Sequence, residues 1–158
     1  MLTQTSETAI RLLLLLALRT NKEPLAPKHA APEVDASPTY LAKVTSHLVK
    51  AGILRAQRGM RGGVTLDRSP DSISLLEIVE ACQGKILGDY CTDEAPLDGV
   101  CGYHRAMVEL HEANVSVLKR WTLGDIARCP EPAPSLQGRF ACRMHLSSHD
   151  KASADGRR

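Results

Sequence analysis

Cys91 and Cys101, with His104 three residues beyond the second, stand in the stretch C-T-D-E-A-P-L-D-G-V-C-G-Y-H. Thiolates and an imidazole are the side chains that hold zinc, iron or iron-sulfur clusters. This stretch is acidic and broken by Pro96 and Gly99, where a packed core has little use for cysteine. The chain has five cysteines, an odd number at uneven spacing, which reads as thiols or ligands rather than a disulfide framework. Cys82 lies beside Ile78 and Val79 in a helical pattern and reads as a buried small hydrophobe. Cys129, and Cys142 with His145, fall where periodicity is lost and offer a weaker metal or oxidation site. No nucleophile, base and orienting group stand in a catalytic pattern, and no phosphate-cradling loop appears, so an enzyme is not expected.

The elements that position these residues follow from composition and period. The 158 residues have room for one domain with a real core, and with one Phe, one Trp and three Tyr that core must be aliphatic, which favours helices. The formal charge of +2 conceals a separation. Residues 1–75 carry 10 Lys or Arg against 6 Asp or Glu, residues 76–104 carry 1 against 6, and residues 105–158 carry 9 against 6. A basic head beside an acidic loop is compatible with a nucleic-acid binder. The apolar run Leu12 to Leu18 is too short to span a bilayer, and no secretory signal is arranged at the start. The expected location is the cytoplasm, with no membrane partner.

Residues 4–19 are rich in helix formers, with Thr5 or Ser6 as possible caps and leucine around nearly the whole circumference, so cover on more than one side is required. Glu7 falls in the first turn, where a carboxylate suits the helix dipole. A short helix is expected from Pro27 to about Val34, limited by Pro32, and another from the cap Ser37-Pro38 to Ala51, stopped by Gly52. In the latter, Leu41, Val44, Leu48 and Val49 face inward and Thr39, Tyr40, Lys43, Ser46, His47 and Lys50 lie at the edge or outside. Two helices joined by a tight turn fit either a helix-turn-helix or an ordinary packed pair. Ile53 to Ala56 and Val64 to Leu66 then read as two strands around Arg58-Gly59-Met60-Arg61-Gly62-Gly63, a wing whose arginines can reach a groove or, alternatively, decorate a solvated tip.

Ser74-Leu75-Leu76-Glu77 is a capping box, flanked by Ile73 and Ile78 as a hydrophobic staple, and its helix should end at Gly84. From His104 to Trp121 the helical period returns, with Met107, Leu110, Asn114, Val117, Leu118 and Trp121 in a stripe widened by Val108 and Val115. A helix this long beside a small head has apolar surface to spare, which fits a two-fold contact or docking on its own domain. Thr122 to Ile126 reads as one more helical turn.

Several of these segments resemble the IscR/NsrR-type family of bacterial winged-helix transcriptional regulators, which often carry an iron-sulfur cluster. The similarity lies in Thr5-x-Glu7-x-Ala9-x-Arg11-x-Leu13, in Tyr40-Leu41-x-Lys43 with Leu48-x-Lys50-Ala51-Gly52, in Arg58-Gly59-x-x-Gly62-Gly63-x-x-Leu66, and in Ile73-x-Leu75-x-Glu77-Ile78-Val79-Glu80-Ala81. It covers about residues 1–125 and implies a homodimer bound to a pseudo-palindromic operator in double-stranded DNA. By this resemblance Ser37, Thr39, Tyr40 and Lys43 approach the major groove, and the turn bearing Arg58, Gly59, Arg61, Gly62 and Gly63 enters the minor groove. The long helix from His104 crosses its two-fold mate. The family's cluster loop has three cysteines; Cys91 fits the first and Cys101 the last, and no cysteine fills the middle position near Leu97. His104 matches the histidine ligand of the IscR-like branch, and Glu7 matches the acidic residue that reaches the cluster from the partner subunit in the nitric-oxide-sensing branch.

The expected fold is therefore mainly α with a small β-wing: a winged helix-turn-helix over residues 1–83, a cofactor or sensor loop over 84–103, a dimerisation helix region over 104–126 and a flexible tail over 127–158. The expected function is a homodimeric repressor sensing redox state, nitric oxide or iron-sulfur status through a [2Fe-2S] cluster on Cys91, Cys101, His104 and Glu7. Zinc would accept the same ligands. A clusterless regulator answering thiol oxidation or a small molecule, or a zinc-bearing protein-interaction module, remain as alternatives.

Overall fold

The computed structural model describes residues 2–59, 62–86, 99–129, 144 and 146. Its elements are α1 (Gln4–Leu18), α2 (Pro27–Ala30), α3 (Pro38–Lys50), β1 (Leu54–Gln57), β2 (Gly63–Leu66), a 3-10 turn at Pro70–Ser72, α4 (Leu75–Gln83), α5 (Gly102–Arg120) and α6 (Leu123–Arg128). This is the expected mainly helical architecture with a two-stranded antiparallel wing, Leu54 facing Leu66 and Gln57 facing Gly63.

The leucine run makes α1 the centre of the core. Leu12, Leu13 and Leu14 have no solvent exposure, and the helix packs against α3, α4, α6 and β2. Each such side chain contributes about 1.5–3 kcal/mol by burial, which explains why leucine occupies faces that an amphipathic helix would leave polar. The cap is Thr3, two or three residues earlier than expected: its backbone is extended and its hydroxyl accepts from the Ser6 amide. Thr5 and Ser6, the expected caps, lie inside the helix, and their hydroxyls serve contacts far along the chain.

The helix beginning at Pro27 is shorter than expected. It keeps regular geometry only to Ala30 and continues as turns to Asp35, whose φ is 52°. In α3 the expected pattern holds: Ser37 caps the Tyr40 amide, Leu41, Val44 and Leu48 are fully buried, and Gly52 closes the helix with φ 67°. Leu25 adds a bridge to Val64 through two backbone hydrogen bonds of 3.0 Å, so the wing is bordered on a third side by the segment after α1.

The capping box of α4 is formed in full: the Ser74 hydroxyl accepts from the Glu77 amide, and the Glu77 carboxylate accepts from the Ser74 amide. A second box, Thr122 with Asp125, starts α6. The two starts are joined, since Leu75 N–H donates to Trp121 C=O at 2.9 Å and Leu123 N–H donates to Ile73 C=O at 2.8 Å. These bonds tie the far end of α5 back to the head. The nine residues of α4 rise about 13 Å and the 19 of α5 about 28 Å, so α4 is too short to cover its neighbour. Leu146 is buried in the core and Met144 packs on it, while most of the segment expected as a tail lies outside the described residues.

Burial opposes ionisation of Glu77, but bonds from the Ser74 amide, Arg68 and the Ser74 hydroxyl prevail and hold its pKa below 4.5. A carboxylate depressed in the folded state stabilises the fold above its unfolded pKa, and that contribution is lost as pH falls through the folded value. Ser74→Ala should cost about 1 kcal/mol in urea unfolding at neutral pH. Glu77→Gln should flatten the loss of stability that the wild type suffers below pH 4.5.

Candidate functional site

The outer face of α3 is open where the sequence placed it. Ser37, Thr39, Lys43 and, one turn on, Ser46 are exposed, all on the side opposite the buried Leu41, Val44 and Leu48. Tyr40 differs from them. It is half-buried, and its hydroxyl donates to Thr5 Oγ1 at 3.1 Å, so this ring braces α3 against the first turn of α1.

The wing projects beside α3. Arg58 and Gly59 are exposed at its tip, while Arg61 and Met60 lie outside the described residues. Arg55 is engaged lower down, its Nε donating to Asp67 at 2.7 Å. The glycines have separate steric reasons. Gly59 has φ 113°, and a Cβ on Gly62 would meet Gln57 O at 2.5 Å and Gly59 O at 2.8 Å. A Cβ on Gly63 would collide with the backbone of Leu25, whose bridge to Val64 sets the inner edge of the wing. These glycines let the hairpin turn tightly and lie against the head, and the exposed arginine rides on that fixed turn.

The expected cofactor residues are distributed over two helix starts. Cys101 is the N-cap residue of α5, an exposed free thiol that makes no side-chain cap bond. His104 follows in the first turn and is 7% exposed, the one buried residue of α5. Thiol and imidazole therefore leave the same end of one helix. Glu7 is half-buried in the first turn of α1. Cys91 lies outside the described residues, and among the described residues no three His, Cys, Asp or Glu side chains form a metal-holding group. Burial pushes the Cys82 thiol up to about 11, as suits an inert core cysteine. Cys129 is exposed at the end of α6, and Cys142 and His145 lie outside the described residues.

Two contacts that sequence reasoning missed join these regions. The Gln83 side-chain oxygen, at the last residue of α4, accepts from the Ser6 hydroxyl at 3.0 Å and from the Thr3 amide at 3.3 Å. With the Tyr40 to Thr5 bond, the first turn of α1 touches both the end of α4, where the acidic stretch begins, and α3. Partners separated by 77 and 35 positions leave no local signal; only the polar Thr3, Thr5 and Ser6 at the start of a leucine-rich helix hinted at them.

The exposed apolar side chains of α5 form a stripe. Tyr103 is 68% exposed, Leu110 54%, and Val117 and Trp121 46% each, and these positions fall on one face. The helix docks on α4 by its flank instead, where Val108, Val115 and Leu118 are half-buried.

A helix pair with an open second helix and an adjoining antiparallel hairpin define a winged-helix DNA-binding module. The chain belongs to the Rrf2 family, whose model, described as an iron-dependent transcriptional regulator, matches residues 2–129. It is 32% identical over 140 residues to the HTH-type transcriptional repressor NsrR of Streptomyces coelicolor, covering 87% of this chain and 94% of that protein. It is 30% identical over 129 residues to the transcriptional regulator NsrR of Halalkalibacterium halodurans, covering 79% and 88%. Among solved structures it is similar to CymR, the global cysteine regulator of Bacillus subtilis, with TM-score 0.67 and 25% identity over 81% of this chain and 96% of that one. IscR of T. potens shares the fold, with TM-score 0.67 and 23% identity over 88% and 94%. The protein is thus a transcriptional regulator and not an enzyme. No described helix is long and apolar enough to cross a membrane.

Gly63→Ala should destabilise the protein by about 1–3 kcal/mol, because backbone rather than a yielding side chain meets the added methyl. Thermal unfolding reads this directly, and Gly52→Ala, where nothing stands within 4 Å and only the positive φ is penalised, is the control expected to cost less.

Proposed function

We propose that the protein is a homodimeric, sequence-specific repressor acting on chromosomal DNA in the cytoplasm, and that it senses redox state, nitric oxide or iron-sulfur status through a cluster. The observation that carries the reading is the open face of α3 beside the arginine-bearing wing, in a chain of the Rrf2 family. Ser37, Thr39 and Lys43 enter the major groove of a pseudo-palindromic operator, and Tyr40 sets the tilt of their helix through Thr5. Arg58, Gly59, Arg61, Gly62 and Gly63 form the wing tip that follows the minor groove.

The second copy is supported by α5. Leu110, Val117 and Trp121 stay exposed on one face after the helix has docked, and a crossing by the same helix of another copy would bury them. In the same assembly Glu7 of the partner subunit would approach Cys101 and His104, as the family resemblance implies.

Cys91, Cys101, His104 and Glu7 make a mixed set suited to a [2Fe-2S] cluster, whose chemistry when bound is one-electron exchange and reaction with small oxidants. The donor chemistry fits: Cys101 offers an exposed thiol, and His104 a nearly buried ring on the same helix end. The chain's own part is to hold these donors at the start of α5 and to connect the start of the acidic stretch, through Gln83 and Ser6, to α1. A clusterless or zinc-bearing form uses the same residues, the exposed Cys101 being the specific feature in favour of thiol chemistry.

Anaerobically purified wild-type protein should contain iron and acid-labile sulfide with visible absorbance. Cys101→Ser and His104→Ala should each diminish the absorbance while far-ultraviolet circular dichroism stays helical. A colourless wild type lacking iron and sulfide would overturn the cluster assignment, and stoichiometric zinc would replace it. Arg58→Ala should weaken binding to operator fragments and lower the salt slope by about 1, the signature of one lost phosphate contact.

A further inference from the structure

Beyond α1 the chain turns at Asn21 and returns beside β2, and this turn, the end of α1 and the base of the wing enclose a cavity of about 440 Å³. That volume lies in the range of small-molecule sites, about 300–1,000 Å³. Leu16, Leu66 and Pro70 give it an apolar wall, while Arg19, Lys22 and Glu23 supply charge.

Most charged groups at its rim are already engaged. Arg68 pairs with Glu77 at 2.8 Å and Asp67 with Arg55 at 2.7 Å, and the Glu23 carboxylate accepts from the Asn21 side-chain amide at 3.3 Å. Arg19 and Lys22 differ. Arg19 lines the cavity as a half-exposed residue and makes no ion pair among the described residues. A cation at the C-terminal end of α1 suits the helix dipole, and that attraction leaves its charge open to an anion. Lys22, beside it, makes no ion pair among the described residues.

We propose that this cavity is a binding site for a small carboxylate with a short apolar chain. The carboxylate accepts from Arg19, with Lys22 adding charge, and the chain lies against Leu16, Leu66 and Pro70. A guanidinium selects planar two-oxygen acceptors, and the apolar wall rewards a hydrocarbon tail over a bare inorganic anion. Such a ligand would tie the end of α1 to the base of the wing, an input separate from Cys101 and His104.

The full-length wild type, titrated with 4-methylpentanoate and followed by backbone amide chemical shifts, should show saturable changes centred on residues 16–23 and 65–70. The expected Kd is about 1 mM or tighter. The neutral analogue 4-methylpentanamide should bind at least about tenfold more weakly, because it forfeits a charge-assisted bond. Arg19→Gln should weaken carboxylate binding by a similar factor. Absence of saturation, equal affinity for carboxylate and amide, or shifts centred on α5 would each overturn the proposal. Should Arg19→Gln fail to fold, the two ligands compared on the wild type still decide it.

Discussion

Leu12, Leu13 and Leu14 have no solvent exposure, and α1 is enclosed by α3, α4, α6 and β2. A helix buried on this many sides cannot slide or rotate without opening contacts in a close-packed interior. Any displacement at one end of it must therefore be shared by the elements around it. That constraint places the recognition helix, the wing and the root of the acidic stretch in one mechanical unit.

The polar residues of α1 sit where this unit meets its surroundings. Ser6 and Thr3 hold Gln83, the last residue before the acidic stretch, and Thr5 holds Tyr40 on α3. Glu7 is the next residue in the same turn. A ligand event drawing on Glu7 or on the segment after Gln83 thus acts within one helical turn of the brace that sets α3. In the proposed dimer, small shifts there would change the separation of the two recognition helices, which half-site spacing on DNA fixes strictly. The wing is tied to the same helix by a different route, through Leu25 and the close approach of Gly63.

Much of this fold was legible in the sequence because its signals are local. Ser37-Pro38, Gly52, the Ser74 and Glu77 box and the leucine run each act within a few residues, and the three helices they mark, α1, α3 and α4, stand where they predicted. The errors came where a local rule met a distant partner. Thr5 and Ser6 read as caps, yet α1 is capped by Thr3 and their hydroxyls are used by Tyr40 and Gln83. The family resemblance directs Tyr40 toward the major groove, and its half-buried ring also bonds Thr5 on α1, a contact no local pattern announces. At the candidate site, spacing singled out Cys101 and His104 as neighbours, and they do share one helix end; Cys91 and Arg61 lie outside the described residues. The stripe on α5 was legible as apolar period, but which of its residues stay exposed depends on α5 meeting α4 by the flank that carries Val108, Val115 and Leu118, which no period reveals.

The central claim is that the state of the proposed cluster reaches the recognition helix through the first turn of α1. Operator affinity of the dimer measured with the cluster intact and after its loss, in wild type and in Tyr40→Phe, tests this most directly. The account predicts that affinity in the wild type differs between the two states by about tenfold or more, within the usual range of allosteric coupling, and that the difference shrinks when the Tyr40 hydroxyl is removed. Equal affinity in the two states of the wild type, or an undiminished difference in Tyr40→Phe, would contradict it.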